Sequence, residues 1–247
     1  MRYSSGQLNI GDSPPTCNWP QFLLSAPMRF EMSLLIETAL VMSAAILVIR
    51  VLTTSSIVGS SWLVAPGILV SAALIPPAIK RREFAAIHLD VQQVRCTLMV
   101  VCCTCVTAFP AMFFGLWLLK YYGFQLPLQA MLPQGQGWIG WLFYQFFYVA
   151  VAEEVFFRGY LQVNIQRIAG KVVARQGHLN MWMSIGISAA CFAAAHMIVQ
   201  GKIILALTFL PGLILGWLFA RTGSLLAPIL FHGLANTCFC IVVAAFP

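Results

Sequence analysis

Seven apolar runs constrain this chain more than any other feature of its sequence. A helix needs about 20 apolar residues to cross roughly 30 Å of hydrocarbon, and only helices and closed barrels satisfy every backbone polar group there. The runs are Ser33–Leu52, Ile57–Ile79, Thr97–Leu119, Trp138–Phe157, Met181–Val199, Ile203–Ala220 and Leu225–Phe246. They predict an all-α fold, a polytopic bundle of about seven transmembrane helices.

The scarcity of charge supports a membrane location. Only 9% of the 247 residues are charged and 60% are hydrophobic, whereas about 25% of the residues of a soluble domain are charged. So few charges cannot cover a surface that faces water. We therefore expect an integral, multi-pass protein of the cell's inner or plasma membrane, surrounded by lipid.

The net charge of +7 is explained by topology. If seven spans alternate across the bilayer, three of the 14 basic residues fall on one side, namely Arg50, Lys120 and Lys202. The other eleven share the opposite side, which the positive-inside rule assigns to the cytoplasm. The N-terminus is therefore expected in the cytoplasm, and no nucleic-acid partner is expected.

The chain is expected to hold one transmembrane domain, residues 33–247, after a cytoplasmic or interfacial segment, residues 1–32. Residues 1–20 are polar and show no signal peptide, and Gln21–Met32 either lies along the interface or is a disordered lead-in. The loop Tyr121–Gly137 is expected at the outer interface. The eight cysteines form no paired CxxC arrangement, so we interpret them as small apolar residues.

Two adjacent carboxylates, Glu153 and Glu154, form the strongest chemical signal. An acidic residue at the centre of a membrane helix costs roughly 2.5–3.5 kcal/mol. Glu154 and Arg158 are four residues apart and can pair, which leaves Glu153 without a cation nearby in sequence. Such a carboxylate suits a general base. The structural alternative is that both glutamates reach the cytoplasmic surface and merely end the span.

Two further polar groups lie in the fifth and seventh runs. His196 follows a series of alanines that lets another helix approach closely, although a single buried histidine is more often structural. His232 and Asn236 are four residues apart on one helix face, which suits an oxyanion hole, part of a metal site, or a polar clamp between helices. With Glu153, these groups predict a hydrolytic site within the membrane.

Three motifs in this order resemble the CPBP family (CAAX protease and bacteriocin-processing, also called Abi), and within it the Rce1-like proteins. The family patterns EExxxR, FxxxH and HxxxN/D correspond to EEVFFR at 153–158, FAAAH at 192–196 and HGLAN at 232–236. The segment PGLILGWLFARTGS at 211–224 is also similar. The resemblance covers about residues 138–240, which is the expected catalytic core.

The resemblance implies that Glu153 activates water with help from His196, and that His232 and Asn236 stabilise the oxyanion. Glu154 and Arg158 would shape the site. The family has also been described as zinc proteases, with Glu153, His196 and His232 as the ligands, and three protein ligands plus water satisfy catalytic zinc. The resemblance favours the metal-free mechanism, with no cofactor. The substrate would be a membrane-anchored protein or peptide.

Alternatives remain for the function. The chain could be a non-catalytic scaffold or immunity protein of the same fold, or a channel or transporter, which the absence of recurring acidic residues disfavours. The substrate is open among CAAX-type, C-terminal sorting-signal and bacteriocin-type processing.

Three structural questions also remain. Counting along straight spans puts His196 at a different depth from Glu153 and His232, unless the fifth helix is broken near Gln200-Gly201 or the spans are shifted. Glu37 needs a partner in the bundle or sits protonated near the end of its helix. The Gly212-xxx-Gly216 pattern packs either within the bundle or between chains.

Overall fold

The fold is a bundle of helices. A computed structural model describes residues 29–55, 61–82, 91–123, 137–172 and 177–245, and it holds no strand in these ranges. The helices are α1 (Arg29–Thr54), α2 (Ser61–Ile79), α3 (Val91–Tyr121), α4 (residues 138–172), α5 (Gly177–Gln200), α6 (Phe209–Thr222) and α7 (Leu226–Ala245). A 3-10 helix, Ile203–Thr208, leads into α6. The segment 1–28 and most of the loop Tyr121–Gly137 lie outside the described residues.

Five of the helical segments are long and apolar enough to cross a membrane. They are Met32–Thr54, Val94–Tyr121, His178–Gln200, Ile203–Thr222 and Leu226–Ala244, and Val64–Ile79 is a shorter apolar helix. These segments match six of the seven apolar runs. The prediction of an integral, multi-pass helical bundle is confirmed.

Aromatic side chains mark one end of the bundle. Trp117, Tyr121 and Tyr122 at the end of α3, and Trp138 at the start of α4, are all exposed. Their rings form contacts along the helix ends, with Trp117 stacked on Tyr121 at 5.5 Å between ring centroids. Trp and Tyr are enriched where a membrane meets water, and exposed rings at these helix ends are typical of such an interface.

Helix α4 continues well beyond the predicted span Trp138–Phe157. Its α-helical parts are Trp138–Phe143, Val151–Glu154 and Val163–Val172, and its π-helical parts are Tyr144–Ala150 and Val155–Gln162. The apolar run ends at Phe157 because Arg158 and Gln162 follow, but both side chains are buried and hydrogen-bonded. The prediction that the helix ends there is wrong, because internal partners replace water for these polar groups.

Two glycines bring α6 against α4 and α5. A Cβ at Gly212 would lie 3.2 Å from the Cα of Ala189, and one at Gly216 would lie 3.0 Å from Gln162 Oε1. The carbonyl oxygens of both glycines accept hydrogen bonds from side chains of α4, from Arg158 Nη2 to Gly212 at 3.1 Å and from Gln162 Nε2 to Gly216 at 3.0 Å. The Gly212-xxx-Gly216 pattern therefore packs within the bundle.

Glu37 is held by an ion pair between α1 and the end of α2. Arg82 donates to both of its carboxylate oxygens, at 3.0 and 3.1 Å, and Lys80 donates to Oε2. At the other end of α1, Arg50 Nη1 donates to the carbonyl of Val199 at 2.9 Å, in the last turn of α5, where a cation is favoured. The two contacts fix α1 against its neighbours.

Candidate active site

Three of the predicted site residues converge on one carboxylate oxygen. His196 Nε2 on α5 and His232 Nε2 on α7 each lie 3.8 Å from Glu153 Oε2 on α4. That oxygen is buried and has no hydrogen-bond partner among the described residues. The Glu153 and His196 side chains remain 19% and 21% exposed, so the cluster can be reached from outside the bundle.

Glu153 and His196 do not lie at different depths in the bundle, as counting along straight spans had suggested. The predicted spans were shifted relative to the helices. Glu153 lies 19 residues before α4 ends at Val172, and His196 lies 19 residues after α5 begins at Gly177. The two residues are therefore equally far from the connection between the helices. Helix α5 runs through His196 without interruption and ends at Gln200, before Gly201 with φ of 68°.

The two imidazoles present the same nitrogen to Glu153. His196 Nδ1 lies 3.0 Å from the carbonyl oxygen of Phe192, and His232 Nδ1 lies 2.6 Å from Glu154 Oε1. A carbonyl and a carboxylate only accept, so both Nδ1 atoms donate. In each ring Nε2 is thereby left free to face Glu153.

Glu154 and Arg158 form a buried ion pair next to the cluster of Glu153, His196 and His232. Arg158 Nη1 donates to Glu154 Oε1 at 2.9 Å, and both side chains are completely buried. The predicted pairing is confirmed. The alternative in which both glutamates reach the surface is wrong. Since the same Glu154 oxygen accepts from His232, this carboxylate orients one of the two imidazoles.

Phe192 explains the aromatic position of the second motif. Its ring lies 4.4 Å from that of His196 and 6.0 Å from that of His232, measured between centroids. The guanidinium carbon of Arg158 lies 4.8 Å from the Phe192 ring centre, a cation–π distance. One aromatic ring thus contacts three polar groups of the site and excludes water from them on that side.

Asn236 lies one turn beyond His232 on α7. Its side-chain amide is hydrogen-bonded to a residue outside the three sequence motifs. Asn236 Nδ2 donates to Gln145 Oε1 at 3.0 Å. Gln145 is a buried residue of α4, and sequence reasoning missed it. Its signal was present, since Gln145 is a polar residue within the apolar run before Glu153.

Helices α4 and α7 make a close contact at Gly233. A Cβ at this position would overlap the Phe146 ring. The overlapping ring atoms include the one attached to the Phe146 Cβ, so the ring cannot move away without a shift of the helix. Gly233 therefore lets His232 and Asn236 approach α4.

Gly233→Ala is expected to destabilise the protein by about 1–3 kcal/mol, the usual cost of overpacking. The free energy of unfolding in mixed micelles measures this effect. Gly186→Ala is the matched control, because a Cβ there meets nothing within 4 Å. Equal stability of the two variants would contradict the close contact.

Glu153 Oε2 lies farther from the two imidazole nitrogens than the ligand atoms of a tetrahedral zinc ion lie from one another. The 3.8 Å separations exceed the roughly 3.3 Å between ligand atoms that metal bonds of about 2.0 Å give. Among the described residues, no group of three His, Cys, Asp or Glu side chains is placed to hold a metal ion.

Comparison with known proteins finds a match in the second half of the chain. A family model described as type II CAAX prenyl endopeptidase Rce1-like matches residues 135–238. The match covers α4, α5, α6 and the first part of α7, with all three motifs, and α1 to α3 lie outside it. No curated protein and no solved structure matches the chain. Residues 135–238 are therefore similar to the Rce1-like family, which is described as type II CAAX prenyl endopeptidases.

Proposed function

We propose that this chain is an intramembrane endopeptidase in which Glu153 activates the attacking water. The observation that carries the proposal is the buried Glu153 Oε2, which lacks a hydrogen-bond partner among the described residues and faces two imidazole nitrogens. A buried polar atom without a partner calls for an explanation, and a catalytic role is one. The two imidazole nitrogens that face this oxygen favour a catalytic role over that of a scaffold.

The spacing of the three groups suits a water molecule. A separation of 3.8 Å is too long for a direct hydrogen bond, and a water molecule can bridge polar groups at such distances. A water there donates to Glu153 and His196. As its oxygen attacks the peptide carbonyl carbon, Glu153 takes one proton, and it later gives that proton to the leaving nitrogen as the C–N bond breaks.

The oxyanion of the tetrahedral intermediate is assigned to His232 and Asn236. The Glu154 carboxylate holds His232 Nδ1 at 2.6 Å and stabilises the imidazolium form, whose Nε2–H can then donate to the oxyanion. Asn236 supplies a second donor, because only one of its two amide N–H groups is needed by Gln145. Donors placed in advance where charge develops are a major source of catalysis.

The family description and the position of the site inside the bundle support a proposal for the substrate class. We propose a membrane-anchored protein cut near its C-terminus, of the CAAX type. The test is a reconstituted protein given a farnesylated CAAX peptide and the same peptide without the lipid, with products identified by mass spectrometry. Release of the last three residues from the lipidated peptide is expected. Failure of folded protein to cut either peptide would contradict this substrate class.

The proposed reaction needs no metal. Activity of the reconstituted protein is therefore expected to be unchanged after prolonged treatment with a strong zinc chelator, because Glu153 and His196 act directly on water. The measurement compares cleavage rates before treatment, after it, and after zinc is added back. A loss that zinc restores would contradict the metal-free mechanism.

A further inference from the structure

Gln145 is a buried polar side chain outside the three sequence motifs. It is 7% exposed and lies in the π-helical part Tyr144–Ala150 of α4. Its Oε1 accepts a hydrogen bond from Asn236 Nδ2 at 3.0 Å. A polar group inside a membrane bundle is costly to keep there, and π-helical turns are frequent at functional sites.

We propose that Gln145 is a positioning residue that sets the orientation of the Asn236 amide, an inference that rests on the function proposed above. The Gln145 side chain presents its oxygen to Asn236, and an amide oxygen can only accept. With Gln145 in this orientation, turning over the Asn236 amide would bring two oxygens together and the hydrogen bond would be lost. In the observed arrangement the nitrogen of Asn236 faces Gln145, and its second N–H stays available to the oxyanion.

The contacts around Gln145 and Asn236 hold the two side-chain amides against each other. Phe146, the next residue on α4, packs on Gly233, which lies between His232 and Asn236 on α7. Gln145 and Phe146 thus contact α7 at successive points. The backbones of α4 and α7 are close here, so the packing leaves little room to absorb a change at Gln145. A small change at Gln145 therefore shifts Asn236.

Gln145→Met is the test, since methionine has a similar length but no comparable acceptor. We expect kcat for the CAAX peptide to fall by about 10- to 100-fold with KM nearly unchanged, because loss of a whole oxyanion donor costs about 10²- to 10³-fold. Combined with Asn236→Ala, Gln145→Met should cause no further loss.

Gln162→Met is the matched control. Gln162 is also a buried glutamine of α4, but its Nε2 donates to the backbone of Gly216 on α6. Its replacement should lower stability and leave kcat per folded molecule unchanged. A normal kcat in Gln145→Met, or a further loss in the double variant with Asn236→Ala, would overturn the positioning role.

The same assay separates this inference from the function on which it rests. If Glu153→Gln is inactive while Gln145→Met matches the native protein, the positioning role alone is wrong. If Glu153→Gln cuts the peptide at the native rate, the proposed catalytic function fails and the role of Gln145 fails with it.

Discussion

Glu153→Gln is expected to lower kcat by about 10²- to 10⁴-fold, the usual contribution of a general base. Glutamine has the size of glutamate and keeps one oxygen acceptor, but it cannot take a proton from water. The bundle should stay folded, because Glu153 Oε2 makes no hydrogen bond to any described residue that the change would remove. The measurement is the cleavage rate per folded molecule in reconstituted vesicles.

Glu37→Gln is the matched control for this prediction. Glu37 is another largely buried carboxylate of the bundle, but its partners are Lys80 and Arg82 at the end of α2. Its replacement weakens that ion pair without changing a group of the site. Its rate per folded molecule should equal the native rate. Equal rates for Glu153→Gln and Glu37→Gln would show that Glu153 is not the base.

Arg158→Met is expected to destabilise the protein by about 3–5 kcal/mol, because breaking one side of a buried ion pair leaves an uncompensated charge. Glu154 and Arg158 are both completely buried, and Arg158 also donates to the Gly212 carbonyl on α6. The change removes that helix contact as well. The free energy of unfolding in mixed micelles measures the loss.

Two further variants test the cause of this loss. Arg221→Met, at the exposed end of α6, should change stability by no more than about 0.5 kcal/mol, as surface substitutions usually do. Adding Glu154→Gln to Arg158→Met should recover part of the stability, since the neutral amide removes the unpaired charge. If the double variant is less stable than Arg158→Met, the unpaired charge is not the cause.

The sequence predicts the helices well because lipid tolerates few alternatives. Apolar runs of spanning length have to be helices, and the described helices overlap all seven predicted runs. The end of α4 was not predictable from hydropathy. Arg158 and Gln162 interrupt the apolar run, and only the folded bundle shows that α6 carbonyls accept a hydrogen bond from each.

The residues of the site and the pairing of Glu154 with Arg158 could be predicted, but the partner of Asn236 could not. Motif spacing pointed to Glu153, His196 and His232, and the structure places them around one oxygen. The hydrogen bond from Asn236 to Gln145 joins residues 91 positions apart. No local sequence pattern predicts such a contact, because it depends on how α4 and α7 pack at Gly233.

The most direct test compares the termini of membrane proteins in cells that carry the native chain, Glu153→Gln or Glu37→Gln in place of it. We predict that specific precursors stay uncut with Glu153→Gln and are processed with the other two, which would also name the substrates. Unchanged termini in cells where Glu153→Gln is folded and abundant would contradict a catalytic Glu153. The chain would then be a scaffold with the fold of a protease.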